Sequence, residues 1–569
     1  MDFPSLLAAS TSAHAFSLSH ATGFFWDNPI FARDSWTNLM NGLRILLTMG
    51  GALLLILEAR ALKMGEKIPE KTRRRIAIVL TAVAFGAYFD FFNPNTRYSQ
   101  YYHRHEFYHY YLGSKFNREL EYTNLYECTA IAEIELGRGA QVRNREIRDL
   151  RVNLIKPVRD TYVLSDPGQC KKRFTPARWA AFKKDVDWFY HSAAGSYWQN
   201  MQKDHGYNPP PVWTMEGKLF ANFGHASDSF FKKLASLDII LHIGIVLMIG
   251  WAFGWRVMAI ATVFWGCNAP ANFYWTGGAF LRQDWLFFLV ASVCLARKRK
   301  FGMSGAALTW SSLLRVFPMI LFVGPLAIMA FELVRKRRLL RSYKRFIGGA
   351  VVAGGLLIPT SVVVCGAQSW PDFFKHIITH KNTPLTNQMG LETMVVHTWK
   401  GRMRFTRDDN LDDPFQLWKA GRENRIHQHR FLFLGIIGLV FLWTLWALRR
   451  TKLLWVAIPL GLPMVASLTN LTCYYYSMFM IAAVLALMRP QLGPVILAVS
   501  GASQILLIRY YWVDDKFTAQ AWLFYFFGLL LLYAYSRPFS MARLKAWWRN
   551  EPDPKNGGPP PPASEARAR

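Results

Sequence analysis

Apolar stretches close to the ~20 residues needed to cross a bilayer recur along this chain, and they leave few folds open to it. They lie near 43–59, 76–92, 236–254, 257–272, 281–296, 303–314, 317–334, 346–365, 430–448, 453–468, 471–488, 491–509 and 519–537. Hydrocarbon offers the backbone no hydrogen-bond partners, so runs of this kind are expected to be helices. The fold class that follows is an all-α polytopic membrane protein with about 13 transmembrane helices.

Composition agrees, with 52% of the 569 residues hydrophobic and 15% aromatic. A formal charge of +30 would suit a nucleic-acid partner. The basic residues, however, gather in short loops at Lys63–Arg75, Arg297–Lys300, Arg335–Arg345, Arg449–Lys452 and Arg537–Arg549. With thirteen alternating spans all five clusters share one side, which the positive-inside rule makes cytoplasmic. No nucleic acid is therefore expected as a partner.

The N-terminus and two long loops, 93–235 and 366–429, then face the other compartment of a multi-pass cell inner (plasma) membrane protein. Three parts follow: 1–75 with an extra transmembrane helix, 76–537 as the main transmembrane domain with its outer loops, and 538–569 as a cytoplasmic tail. The proline-rich end of that tail reads as largely disordered. Residues 1–40 lack a basic n-region and an early apolar h-region, so no cleaved signal peptide is expected there.

Loop 93–235 is too long and too patterned to be a linker. Thr175 before Pro176 opens a capped helix whose apolar residues recur at helical spacing, so the loop is expected to be partly helical. Cys128 and Cys170 share it, and an oxidising face would let them pair. The sequence leaves that pairing open, because it does not give the Cα separation.

Within the loop, the run from Arg97 to Glu127 (RYSQYYHRHEFYHYYLGSKFNRELEYTNLYE) sets histidines, a carboxylate, tyrosines and basic residues just after a predicted span. His105 and His109 are four apart and share a helix face, and Glu106 with His109 has the three-residue spacing of some carboxylate–histidine sites. No second ligand cluster stands out in the sequence. Histidines beside interfacial aromatics ordinarily only form hydrogen bonds, so neither a metal nor another cofactor is expected.

The segment Glu106-Phe-Tyr-His-Tyr-Tyr-Leu-Gly-Ser-Lys115, followed by Leu125-Tyr126, resembles the first outer-loop pattern of glycosyltransferase family 87, membrane enzymes of the GT-C superfamily. Later segments keep that family's order. Tyr207-Asn208-Pro209-Pro210 is similar to its Tyr-Pro-Pro element, Arg282-Gln283-Asp284 to its Gly-Gln element, Leu314-Arg315-Val316-Phe317-Pro318 to its Lys-x-x-Pro element, and Asn387-Gln388 to its Asn-Gln-Ser element. Departures are Glu106 where aspartate is usual, Arg315 where lysine is common, Met389 in place of serine, an added first span, and a longer stretch at 128–206.

The resemblance implies an inverting glycosyltransferase. It would move a mannose-like hexose or a pentose from a polyprenyl-phosphate sugar donor to a lipid or glycan acceptor, on the periplasmic or extracellular face. Such a reaction needs a carboxylate to take the acceptor proton and cations to hold the departing phosphate. Glu106 is the expected base, with Asp90 at the end of the second span as the alternative. Arg315 is first choice for the phosphate, with Arg282 and Arg104 assisting. His105, His109, Gln283, Asp284, His380, Asn387, Gln388 and Tyr475 complete the expected substrate-binding set around a polar cavity. Two other classes fit many spans: a secondary transporter or lipid flippase, and a ligase-type transferase using a diphosphate-linked donor.

Overall fold

The computed structural model describes residues 29–66, 68–96, 101–381, 383–411 and 413–536. The expected tail at 538–569, the Arg537–Arg549 cluster and most of the segment judged for a signal peptide lie outside the described residues. What is described is almost entirely helical, with two short antiparallel strand pairs. The chain is an all-α membrane protein.

In chain order the principal elements are α1 (Arg33–Lys63), α2 (Glu70–Tyr88), α3 (Arg104–Lys115), α4 (Leu125–Glu133), the strands β1 (Glu146–Asp149) and β2 (Leu154–Pro157), α5 (Pro176–Ser192) and α6 (Pro211–Ala221). Then come α7 (Asp228–Phe253), α8 (Trp255–Gly266), α9 (Asp284–Arg297), α10 (Phe301–Leu314), α11 (Val323–Lys336) and α12 (Arg341–Cys365). The remainder comprises α13 (Ser369–Lys381), β3 (Gln388–Met389), α14 (Gln416–Gln428), α15 (Arg430–Leu448), α16 (Leu462–Leu468), β4 (Leu471–Thr472), α17 (Leu492–Arg509) and α18 (Val513–Tyr535).

Among the described residues, seven helices are long and apolar enough to cross a membrane: α1, α7, Phe317–Lys336, α12, α15, α17 and α18. The other predicted spans are shorter, broken or more charged. Helices α8, α9 and α10 have 12, 14 and 14 residues. At ~1.5 Å per residue they reach only ~18–21 Å against a ~30 Å hydrocarbon core. The run Cys473–Leu487 is a 3₁₀ helix of 15 residues, whose steeper rise of ~2.0 Å stretches it to ~30 Å.

Small residues set the tightest contacts. A Cβ on Gly305 of α10 would stand 1.9 Å from the Phe346 carbonyl oxygen of α12, and one on Gly349 would stand 1.9 Å from that of Gly302. Only glycine lets these two backbones meet, which is how helices gain packing where lipid removes the hydrophobic drive. Helix α1 lies along α17, with Gly51 under Leu497 and Gly501 under Thr48 and Met49.

The segment 101–227, between α2 and α7, is built like a soluble domain and is called the loop below. Phe116, Phe182, Val186, Phe189, Tyr108 and Trp198 are buried in it. The Lys115 ammonium is 2.7 Å from the buried Asp185 carboxylate, which also accepts from the Ala226 N–H at 2.8 Å. Arg145 pairs with Glu133, whose other oxygen accepts from the Trp198 indole at 2.8 Å. The Thr175 hydroxyl caps α5, with Pro176 opening it, as the sequence indicates. Cys128 and Cys170 form a disulfide with a Cα separation of 5.7 Å, which resolves the open question of their pairing. In the chain-entropy account, closing a loop of that length stabilises the fold by about 4 kcal/mol.

Candidate active site

Helix α3 starts where the His103 N–H donates to the Gly278 carbonyl at 2.7 Å, tying it to the turn before α9. That turn holds Leu281 at φ 47°, a left-handed conformation costly for a branched side chain. What holds it is Asp238 of α7, whose carboxylate accepts from the Arg282 N–H at 3.1 and 3.2 Å and from the Gln283 N–H at 3.2 Å. The Trp213 indole donates to the Leu281 carbonyl at 2.8 Å from the α6 side. Arg282 is thereby fixed from both directions before its side chain makes any contact.

The Arg282 guanidinium then faces α3. Its Nε lies 3.1 Å from Glu106 Oε2, an ion pair without hydrogen-bond alignment that leaves this oxygen without a donor. Its other nitrogens donate to the hydroxyls of Tyr110, one turn beyond Glu106, and of Tyr474, the latter at 3.1 Å. The Arg282 Cζ is 4.4 Å from the Tyr110 ring centroid and 5.1 Å from that of Tyr474, so both rings also attract the cation through their faces.

Arg315 and Asp284 stand beside this pair. Arg315 Nη1 donates to the Leu314 carbonyl at 2.7 Å, its Cζ lies 5.5 Å from the Trp213 ring centroid, and Nη2 is buried with no hydrogen-bond partner among the described residues. Asp284 Oδ1 accepts from the Trp285 N–H at 2.7 Å, and Oδ2 is likewise buried and unbonded. Tyr475 packs against Trp285 and Phe317, with centroids 5.6 and 4.9 Å away. Gln283 turns aside, with its amide 3.3 Å from the Thr276 hydroxyl.

Sequence reasoning missed a third carboxyl here, beside Glu106 and Asp284. Glu216 of α6 accepts from the Trp310 indole at 2.5 Å, and burial, with the Asp284 charge added, pushes its pKa up to about 8. The shift favours the protonated form. A lone glutamate in PVWTMEGKLF carries no local signal of this; only its proximity to Asp284 and Arg315 gives it meaning. Tyr110 bonds Arg282 directly.

The remaining expected site residues lie elsewhere. Asp90 is held by Arg44 of α1 at 2.6 Å, where it anchors the added helix to the strained Asp90–Phe92 turn. Arg104 lies with its Cζ 5.8 Å from the Tyr102 ring centroid. His105 and His109, expected to bind substrate, face Asp204, Tyr126 and Met201 of the loop, because each lies one residue back from a side chain that meets Arg282, Glu106 and Tyr110 respectively, which rotates it by ~100° around α3. His380 packs against His205, with centroids 5.6 Å apart.

Asn387 and Gln388 serve the backbone. The Asn387 carbonyl accepts from the Cys473 N–H at 2.9 Å, Gln388 Oε1 accepts from Leu385 and Asn470, and β3 pairs with β4 through Gln388↔Thr472. That pairing delivers Tyr474 to Arg282.

A cavity of about 390 Å³ lies between the 101–227 loop and the end of α12, lined by Asn117, Arg118, Tyr122, Tyr207, Thr214 and Asp372 among others. Neither Glu106 nor Arg315 lines it, so the hollow expected above those two groups is not this one. No protein-family model, no curated protein and no solved structure matches the chain.

Proposed function

We propose that this chain is a GT-C-like integral-membrane glycosyltransferase that transfers a sugar, with inversion, from a polyprenyl-phosphate donor to a lipid or glycan acceptor. One observation carries the reading: a carboxylate oxygen without a hydrogen-bond donor sits 3.1 Å from a fixed guanidinium, beside a second guanidinium with a spare buried donor. Glu106 takes the proton of the acceptor hydroxyl as it attacks the anomeric carbon. Arg315 and Arg282 stabilise the phosphate that leaves, and a bidentate guanidinium suits that anion better than an ammonium would. Glu216 and Asp284 set the charge around Arg315.

The Glu106 side chain keeps 17% of its surface exposed, so one edge of the carboxylate is reachable. Substrate binding then has to part Tyr110, Tyr474 and Trp213 around the guanidinium groups. On this reading the apolar runs make thirteen crossings of the inner (plasma) membrane and the site opens on the periplasmic or extracellular face. The order of motifs from Glu106 to Gln388 favours transfer over transport.

The test is the purified protein in vesicles with a labelled polyprenyl-phosphate mannose or pentose and a crude glycolipid acceptor. Label appearing in an acceptor, with release of polyprenyl phosphate, supports the proposal. Movement of the lipid across the bilayer without transfer overturns it in favour of a flippase.

A further inference from the structure

His105, His109 and Asp204 bring one imidazole nitrogen each and a carboxylate oxygen within 4.8 Å of one another. The first two lie one turn apart on α3, and the third arrives from a segment almost a hundred residues later. His105 Nε2 is 2.9 Å from Asp204 Oδ2. His109 Nδ1 is 2.8 Å from the His105 carbonyl, and its Nε2 is 2.7 Å from the Tyr126 hydroxyl and 3.0 Å from the Met201 carbonyl.

The surroundings of His109 are unusual for a histidine that only hydrogen-bonds. A neutral imidazole carries a single N–H. Yet each ring nitrogen is within 3.0 Å of a backbone carbonyl oxygen, so in either tautomer one nitrogen lone pair points at a carbonyl. The Tyr126 hydroxyl donates to the Asp204 carbonyl at 2.9 Å and accepts from the Gly206 N–H at 3.0 Å, so it does not relieve the conflict. A cation seated against Nε2 does. With Nδ1–H donating to the His105 carbonyl, the ring is held in the tautomer and orientation that metal-bound histidines ordinarily show.

We propose that His105 Nε2, His109 Nε2 and Asp204 Oδ2 bind a divalent transition-metal ion, zinc being the ion best suited to two imidazoles and one carboxylate on an oxidising face. The Met201 carbonyl or water completes the coordination. The Asp204 side chain is 44% exposed, which gives the ion an entry path, while His109 is buried at its base. Bound there, the ion clips the first turn of α3 to the segment 201–207 that ends at Tyr207. Its role is to position α3, and hence Glu106, rather than to touch the substrate. The site stands whether or not the chain transfers sugars, since none of its three ligands takes part in that proposal.

The test uses full-length protein purified with a histidine-free tag, stripped with chelator and titrated with Zn²⁺. Wild type should take up about one tightly held zinc per chain and unfold at a higher temperature when loaded. His105→Ala and Asp204→Asn should each weaken uptake by ~10-fold or more, whereas His397→Gln should not. Cobalt(II) in the wild type gives a readout that no variant has to fold for: intense ligand-field bands of a four- or five-coordinate ion, displaced by zinc, are expected. Absence of saturable zinc uptake by the wild type, uptake unchanged in both ligand variants, or only the weak spectrum of hydrated cobalt would overturn the assignment.

Discussion

One turn of α3 serves two polar centres that differ in almost every respect. Glu106 and Tyr110 face the transmembrane helices and meet Arg282, a cation buried among aromatic rings. His105 and His109, one residue back on the same helix, face the 101–227 loop, where His105 meets Asp204 at a solvent-open edge. The first centre has cations and an oxygen without a donor, which suits an anionic leaving group. The second has lone pairs crowded together, which suits a metal ion. A short helix between a membrane and a folded loop can thus hold chemistry on one side and its own fastening on the other.

Glu106→Gln breaks the comparison most sharply. Transfer should fall by ~10²–10⁴-fold, the usual weight of a general base, while zinc uptake stays at the wild-type level. Measured turnover that survives the change would remove the base from this face. Next comes Lys115→Ala, at the far end of the same helix. It strands the buried Asp185 carboxylate and should destabilise the loop by ~3–5 kcal/mol, read as a lowered unfolding temperature of the detergent-solubilised protein. An unfolding temperature equal to the wild type would mean that the loop core is not the element holding α3.

Arg315→Ala should raise the Michaelis constant for the donor ~10-fold or more while leaving that for the acceptor nearly unchanged, the scale of a lost charge-assisted hydrogen bond. Equal effects on both constants would make Arg315 a packing residue against Trp213. The smallest expected effect concerns Glu127. Burial, only partly offset by Arg151, pushes its pKa up to about 7. The folded loop therefore holds this proton more tightly than the unfolded chain, whose value is near 4.5. The resulting stability is complete below pH ~4.5 and is lost as pH rises through about 7. Melting curves should shift down by a few degrees across that window, and Glu127→Gln should flatten the shift.

Helices were legible in the sequence because apolar runs in lipid have no other way to satisfy their backbone. Their lengths were not, since the same apolarity describes a 31-residue α1 and a 12-residue α8. Among site residues, Glu106, Arg282, Asp284, Arg315 and Tyr475 come together because they belong to elements that converge near the start of α9. The partner of Asp90 was not legible, because Arg44 sits in a helix 46 positions earlier and no local pattern announces that pair. Asp204 and Glu216 were invisible for the same reason: single acidic residues acquire a role only from partners brought close by the fold. The 105/109 pair was read correctly as sharing a face, but assigning that face to the substrate required knowing which side of α3 the loop covers.

The seating of α1 against α17 has a consequence for biosynthesis. A ribosome adding ~5–20 residues per second finishes α1 roughly 20–90 seconds before α17 exists. Through the first part of that interval the newborn helix has α2 as its neighbour, while it carries Arg44 and Glu58. The contacts it has by then, Arg44 with Asp90 and Glu58 with Arg73, neutralise both charges before the permanent neighbour is made. Arg256 joins Glu58 only later, as α8 emerges. Losing either pair would leave a bare charge on α1 in lipid, so less full-length protein should accumulate in the membrane.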